Sequence, residues 1–126
     1  MIALDTHVAV WLHAGETQFF SEGVLSRIDS ESLVICPMVA LELEYLYEIG
    51  RITVPSDTIV SDLSASLGLE VCNRPFLLTV RQALQVKWTR DPFDRTIVAH
   101  ALAHSFDLLT KDEMLLNKCA LAFWEG

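Results

Sequence analysis

The feature that most constrains this chain is the alternation of very short apolar runs with segments of helical periodicity. Ile2–Leu4 is an apolar run closed by Asp5, and residues 6–13 then carry Val8, Trp11 and Leu12 at helical spacing, so a strand feeds a helix. A second helix is predicted over residues 21–28, with Ser21 as its N-cap. Residues 33–36 form the next strand, and Pro37 takes the first position of a helix ending near Gly50. Ser56 is expected to cap a helix reaching Leu67, where Gly68 stops it ahead of a strand at 69–72. Residues 76–86 read as a helix with Phe76, Val80, Ala83 and Leu84 on one face. Asp91-Pro92 opens another that extends to about His104, followed by a strand at 107–110 and a last short one at 120–124. The order β-α-α-β-α-α-β-α-α-β-β contains no repeat and no linker, which predicts one domain over residues 1–126. Strands this short and uninterrupted are buried on both faces. They point to an α/β fold with a mostly parallel central sheet, whose ligands bind at the carboxyl ends of the strands.

The 126 residues are 52% hydrophobic, enough for a sizeable core. Charges interrupt every apolar run before the ~20 residues needed to span a bilayer, and no leader pattern opens the chain. A soluble, cytoplasmic protein with no membrane partner is expected. Cys36, Cys72 and Cys119 are odd in number and widely spaced among apolar neighbours, as reduced core thiols would be. The net charge of -8 argues at first against a nucleic-acid partner. It argues less if several acids surround a divalent cation, because bound metal reverses the local charge.

Several acids do stand where acids are costly. Asp5 and Asp112 fall at or just beyond the carboxyl ends of predicted strands. A helix cap at Asp5 and a plain turn at Asp112 are the alternatives. Glu42 projects with Val39, Leu46 and Ile49, whereas Glu44 and Glu48 face the other way. A carboxylate in an apolar stripe needs a metal or a partner, or else sits at the stripe's wet margin. Asp91 before Pro92 has the look of an N-cap. Asp94 shares its direction with Ile97, Val98 and Ala101, the face that should pack on the sheet, while Arg95 and His100 project toward solvent. One arrangement accounts for all of these: acids from strand ends and inward helix faces gathered at one sheet edge around a hard cation such as Mg²⁺, which activates water and stabilises charge in phosphodiester hydrolysis. Phosphatases and sugar-binding sites also use acid clusters.

Other chemistries lack their frames. Phosphate-cradling glycine loops, an H-E-x-x-H zinc helix and a G-x-S-x-G nucleophile elbow are all missing. His100 and His104 are spaced for one helix face, but the sequence offers no third metal ligand close by.

Leu4-Asp5-Thr6-His7, Glu42-Leu-Glu-Tyr-Leu with Gly50-Arg51-Ile52, Asp91-Pro-Phe-Asp94-Arg95 running into residues 97–101, and Leu109-Thr110-Lys111-Asp112 together resemble the successive motifs of PIN domains, especially VapC toxins. The resemblance covers nearly the whole chain. It implies a three-layer α/β/α sandwich and an Mg²⁺- or Mn²⁺-dependent endoribonuclease. It also implies a homodimer and inhibition by a cognate antitoxin protein. By position, Asp5, Glu42, Asp94 and Asp112 match the family's four acids, Asp91 is a further acid that caps or ligates, and Thr6 and Thr110 match supporting polar positions. Many relatives carry Ser or Thr where this chain has Val39, which leaves a supporting hydrogen bond to Glu42 without its usual donor. The substrate would be single-stranded or looped RNA, with Arg90, Arg95 or Lys111 as phosphate contacts. The competing readings are a catalytically silent PIN-like module that binds RNA or protein, and a small phosphatase, which Asp5-Thr6-His7 disfavours for want of a second acid. Trp11, Phe19 and Phe20 are candidates for a protein interface or for ordinary core packing.

Overall fold

A computed structural model describes residues 1–125; Gly126, the last residue of the expected domain span, lies outside the described residues. In chain order the elements are β1 (Ile2–Leu4), α1 (Thr6–Ala14), a 3-10 turn (Thr17–Phe19), α2 (Glu22–Ser30), β2 (Leu33–Ile35), α3 (Pro37–Glu48), α4 (Ser56–Leu67), β3 (Glu70–Val71), α5 (Phe76–Ala83), α6 (Pro92–His104), β4 (Asp107–Leu109), α7 (Glu113–Lys118) and β5 (Ala122–Phe123). The strands form one sheet in the order β3-β2-β1-β4-β5, and all pairings are parallel. Ile2, Leu4, Leu33, Ile35, Leu108 and Leu109 are each at most 1% exposed, so the central strands are covered on both faces as their composition requires. β1 lies between β2 and β4, and the chain departs from it in both directions. That reversal opens a crevice at the carboxyl ends of β1 and β4, where a doubly wound sheet accepts ligands.

The structure departs from the sequence expectations at several positions. The segment between the last two strands is α7, because parallel β4 and β5 need a crossover that a direct turn cannot provide. Six residues are too few to show a helical period, but Asp112 followed by Glu113 is a readable start signal. Ser56 does not cap α4: its Oγ donates to the Ala40 carbonyl at 2.7 Å, and its N–H donates to Glu44 Oε1 at 3.2 Å. Glu44, expected on the far side of α3, therefore links α3 to the start of α4. Ile49, placed on Glu42's inward face, is 50% exposed just past the helix end.

The remaining corrections concern α5 and α6. α5 buries Thr79 and Ala83, while Phe76, Leu77, Leu78, Val80 and Leu84 are 37–58% exposed. His100, assigned to a solvated face, is 1% exposed. α6 is covered by the sheet and by α5, so six consecutive residues from Thr96 to Ala101 are all buried and the helix has no single inward stripe.

α6 ends at Ser105, which adopts the left-handed conformation (φ 56°) and is the one non-glycine residue with positive φ among those described. Glycine relieves the clash of its Cβ with the backbone, so Ser105→Gly is expected to stabilise the fold by ~1 kcal/mol. Urea denaturation should show a higher midpoint with an unchanged slope; a lower midpoint would contradict this account of the helix end.

Candidate metal centre

The crevice at the sheet edge is a cavity of about 460 Å³ lined by Asp5, Glu42, Asp91, Asp94 and Asp112, together with His7, Val8, Trp11 and Lys111. All five acids singled out in the sequence thus border one space. A larger depression, about 780 Å³, runs along α4 and β3 but offers only the two acids Asp57 and Glu70 among mostly small polar and apolar side chains. Chemistry, not size, makes the first the candidate site.

Three of the acids are set in place by starting a helix. Asp5 follows β1 directly and is 8% exposed; its Oδ1 accepts from the Thr6 N–H at 2.8 Å and its Oδ2 from the Thr110 hydroxyl at 2.7 Å. Asp91 caps α6, with Oδ1 accepting from the N–H groups of Phe93 and Asp94 at 2.8 and 3.3 Å. Asp112 caps α7, its Oδ1 accepting from Met114 and Leu115 at 2.8 and 3.1 Å. In Asp91 and Asp112 one oxygen does the capping and the other is left for the cavity. Capping and ligation are therefore compatible at Asp91 and Asp112.

The two threonines hold the acids. Fully buried Thr110 donates to Asp5 and accepts from the Asp112 N–H at 3.0 Å, so a single hydroxyl joins the end of β1 to the start of α7. Thr6 donates a short hydrogen bond to Glu42 Oε1. This replaces the donor that Val39 lacks: Val39 is fully buried, and Glu42 is supported from α1 instead of from its own helix.

The electrostatics are those of carboxylates without a basic partner among the described residues. None of the five acids forms an ion pair with Lys or Arg among the described residues. Burial pushes the Asp5 and Glu42 carboxyls above the usual range, although hydrogen bonds from Thr110 and Thr6 work the other way. Asp94 is pushed up to about 7 by burial and by the charges of Asp5, Asp91, Asp112 and Glu42. Among the described residues no hydrogen-bond donor meets its carboxylate. Buried Asp5, half-buried Glu42 and Asp94, and Asp91 and Asp112 at the exposed rim repel one another and form an all-oxygen donor set that fits a hard divalent cation such as Mg²⁺ or Mn²⁺.

Around this set the basic residues separate. Lys111 lines the cavity, with Nζ 5.4–5.9 Å from the ring centres of Trp11, Phe19 and Trp124. Arg90 does not line it, and Arg95 Nε donates to the Ala83 carbonyl at 2.8 Å, tying α6 to α5. Trp11 packs with Phe19 and Trp124, and Phe20 packs with Trp124, at ring separations of 5.1–5.8 Å. Phe20 is buried whereas Phe19 is 39% exposed, so this cluster both closes the core and forms the cavity's aromatic flank. His7 and Trp11 were not anticipated as cavity residues; their signal was position alone, two and six residues after Asp5 on α1.

With this geometry, the chain's relatives are informative. The sequence profile of the PIN domain family matches residues 2–121. The chain belongs to the PIN domain family. It is 32% identical over 117 residues to Ribonuclease VapC22 of Mycobacterium tuberculosis, covering 90% of this chain and 88% of that protein. Its fold is similar to the crystal structure of VapBC2 from Rickettsia felis bound to a DNA fragment from their promoter, with a TM-score of 0.63 and 18% identity over 98% of this chain and 96% of the other. The resemblance to Ribonuclease VapC22 thus covers 90% of the chain, and the likeness to VapBC2 extends to the fold.

A carboxyl whose pKa rises on folding holds its proton longer in the native state, so stability falls as pH rises from the ordinary carboxylate range through about 7. The metal-free chain should therefore resist urea better at pH 5.5 than at pH 8. Asp94→Asn should flatten that slope and add about 1–2 kcal/mol at pH 8. Stability unchanged between the two pH values would remove the account of crowded charge.

Proposed function

We propose that this chain is a VapC-type toxin: a single-domain, cytoplasmic endoribonuclease that hydrolyses RNA with Mg²⁺ or Mn²⁺ and is held inactive by a cognate antitoxin. The observation that carries the reading is the convergence of five carboxylates, unpaired by Lys or Arg among the described residues, on one cavity at the sheet edge. The similarity to Ribonuclease VapC22 supports the reaction class, and the similarity to a VapBC2 complex supports an antitoxin partner. Three free cysteines agree with a reducing compartment, and no helix among the described residues is long and apolar enough to cross a membrane.

Asp5, Glu42, Asp94 and Asp112 would hold the cation, with Asp91 contributing at the rim. Bound there, the ion would activate water and offset charge developing on the scissile phosphate. Thr110 and Thr6 fix the Asp5 and Glu42 oxygens so that little reorganisation accompanies binding. Lys111, held over the aromatic flank, supplies a cation for an RNA phosphate, and the exposed parts of Trp11 and Phe19 offer faces for an unstacked base. The exposed apolar side chains of α3 and α5, including Leu41, Tyr45, Leu77 and Leu84, support burial against other protein, as homodimerisation and antitoxin binding require.

Purified chain should cleave single-stranded RNA only with Mg²⁺ or Mn²⁺, and Asp94→Asn should abolish cleavage while the protein stays folded. Full activity in that variant would sink the site assignment. No cleavage and no metal binding by the antitoxin-free wild type would instead favour the silent module. Lys111→Ala should weaken RNA binding and reduce the slope of log affinity against log salt by about one.

A further inference from the structure

A second group of metal-ligating side chains lies away from the acidic cavity. Cys72 Sγ and ring nitrogens of His100 and His104 lie within 4.8 Å of one another, and none of these residues lines the acidic cavity. The sequence offered the two histidines without a third ligand; the fold supplies it by bringing the residue after β3 against α6. The Cys72 N–H donates to the Ile35 carbonyl at 2.9 Å, which fixes the backbone that carries the thiol.

The histidines are unusual for a packed interior. His100 is 1% exposed, yet both of its ring nitrogens lack a hydrogen-bond partner, as does the buried Nε2 of His104. Neither nitrogen of His100 is satisfied by the nearby thiol. Buried polar atoms almost always find partners, so two imidazoles and a thiol converging with unshared lone pairs point to a cation as their common partner. Phe106 packs on both rings at 5.4 and 5.6 Å, and the Arg74 guanidinium covers Phe106 at 4.9 Å. Burial holds His100 down to about 4, with His104 and Arg74 acting in the same direction, so its imidazole is neutral at pH 7 with a lone pair to give.

We propose that Cys72, His100 and His104 form a second metal site that takes one Zn²⁺-type cation and ties the end of β3 to α6. The donor set is borderline-soft, unlike the hard oxygens of the acidic cavity, and it suits Zn²⁺ in preference to Mg²⁺. With metal–sulfur and metal–nitrogen lengths of about 2.3 and 2.0–2.1 Å, tetrahedral donors stand about 3.3–3.6 Å apart. The donors, now within 4.8 Å of one another, would close to that spacing by rotation of the partly exposed Cys72 and His104 toward His100, with water as a fourth ligand. Binding releases the thiol proton to solvent, and the thiolate becomes the ligand. The proposal is independent of the ribonuclease reading.

The test titrates the full chain with Zn²⁺, and with Co²⁺ as a spectroscopic probe, in excess Mg²⁺. The same titrations are made on Asp94→Asn, so that ions held by the acids are recognised. One tight equivalent is expected, with a thiolate-to-cobalt charge-transfer band and a rise in unfolding temperature, in both wild type and Asp94→Asn. Cys72→Ser and His104→Ala replace partly exposed side chains; each should lose the band or the temperature rise and weaken Zn²⁺ binding on the order of a hundredfold. Circular dichroism verifies that these two variants are folded. Cobalt bound without a thiolate band, tight binding retained by both variants, or tight binding lost in Asp94→Asn would each overturn the proposal.

Discussion

Repulsion among carboxylates is the constraint around which this fold is organised. Five acids from four separate segments meet at the carboxyl end of the sheet, and among the described residues no Lys or Arg is paired to any of them. Such a convergence persists only if surrounding interactions hold it. The starts of α1, α6 and α7 do so, because each presents unpaired N–H groups and the positive end of a helix dipole to an Asp. Each such end contributes about 0.3–1 kcal/mol, which offsets part of the repulsion without neutralising the acids. Thr110 and Thr6 add directional bonds to the two acids that caps do not fully fix.

The parts of this arrangement that were legible in the sequence are those governed by local chemistry. Asp91-Pro92 announces a helix start because proline at the first helical position needs no donor and aspartate supplies an acceptor. Asp94 and Glu42 stood out because a charge among apolar neighbours requires an explanation. The alternation of short apolar runs conveyed the parallel sheet. What stayed hidden depends on contacts between distant segments. Thr6 supports Glu42 across 36 positions and Thr110 supports Asp5 across 105, and no local pattern records either pairing. Arg95 looked like a phosphate ligand from proximity to Asp94, but its direction on α6 sends it to the Ala83 carbonyl.

α6 shows why periodicity misled at His100. An amphipathic stripe presumes one covered face, and this helix lies between the sheet and α5. When both sides are covered, a polar residue on either side becomes a buried group that needs a partner. Asp94 at the first turn and His100 midway along are two consequences of that position: both are drawn out of water, and both lack a hydrogen-bond partner among the described residues. Their chemistries differ. The carboxylate faces other charged oxygens, while the imidazole faces a thiol and a second imidazole.

The net charge of -8 then takes on a local meaning. Much of it is held not on a diffuse solvated surface but in one cavity, where burial raises Asp5, Glu42 and Asp94 above the usual carboxylate range. RNA approaching that cavity without a cation would meet repulsion; with divalent ions bound, most of that negative charge would be offset, beside Lys111 and an aromatic wall. An acidic protein can in this way bind an acidic polymer, with the metal both reagent and electrostatic bridge. RNA affinity would then depend on divalent ions more steeply than the overall charge suggests.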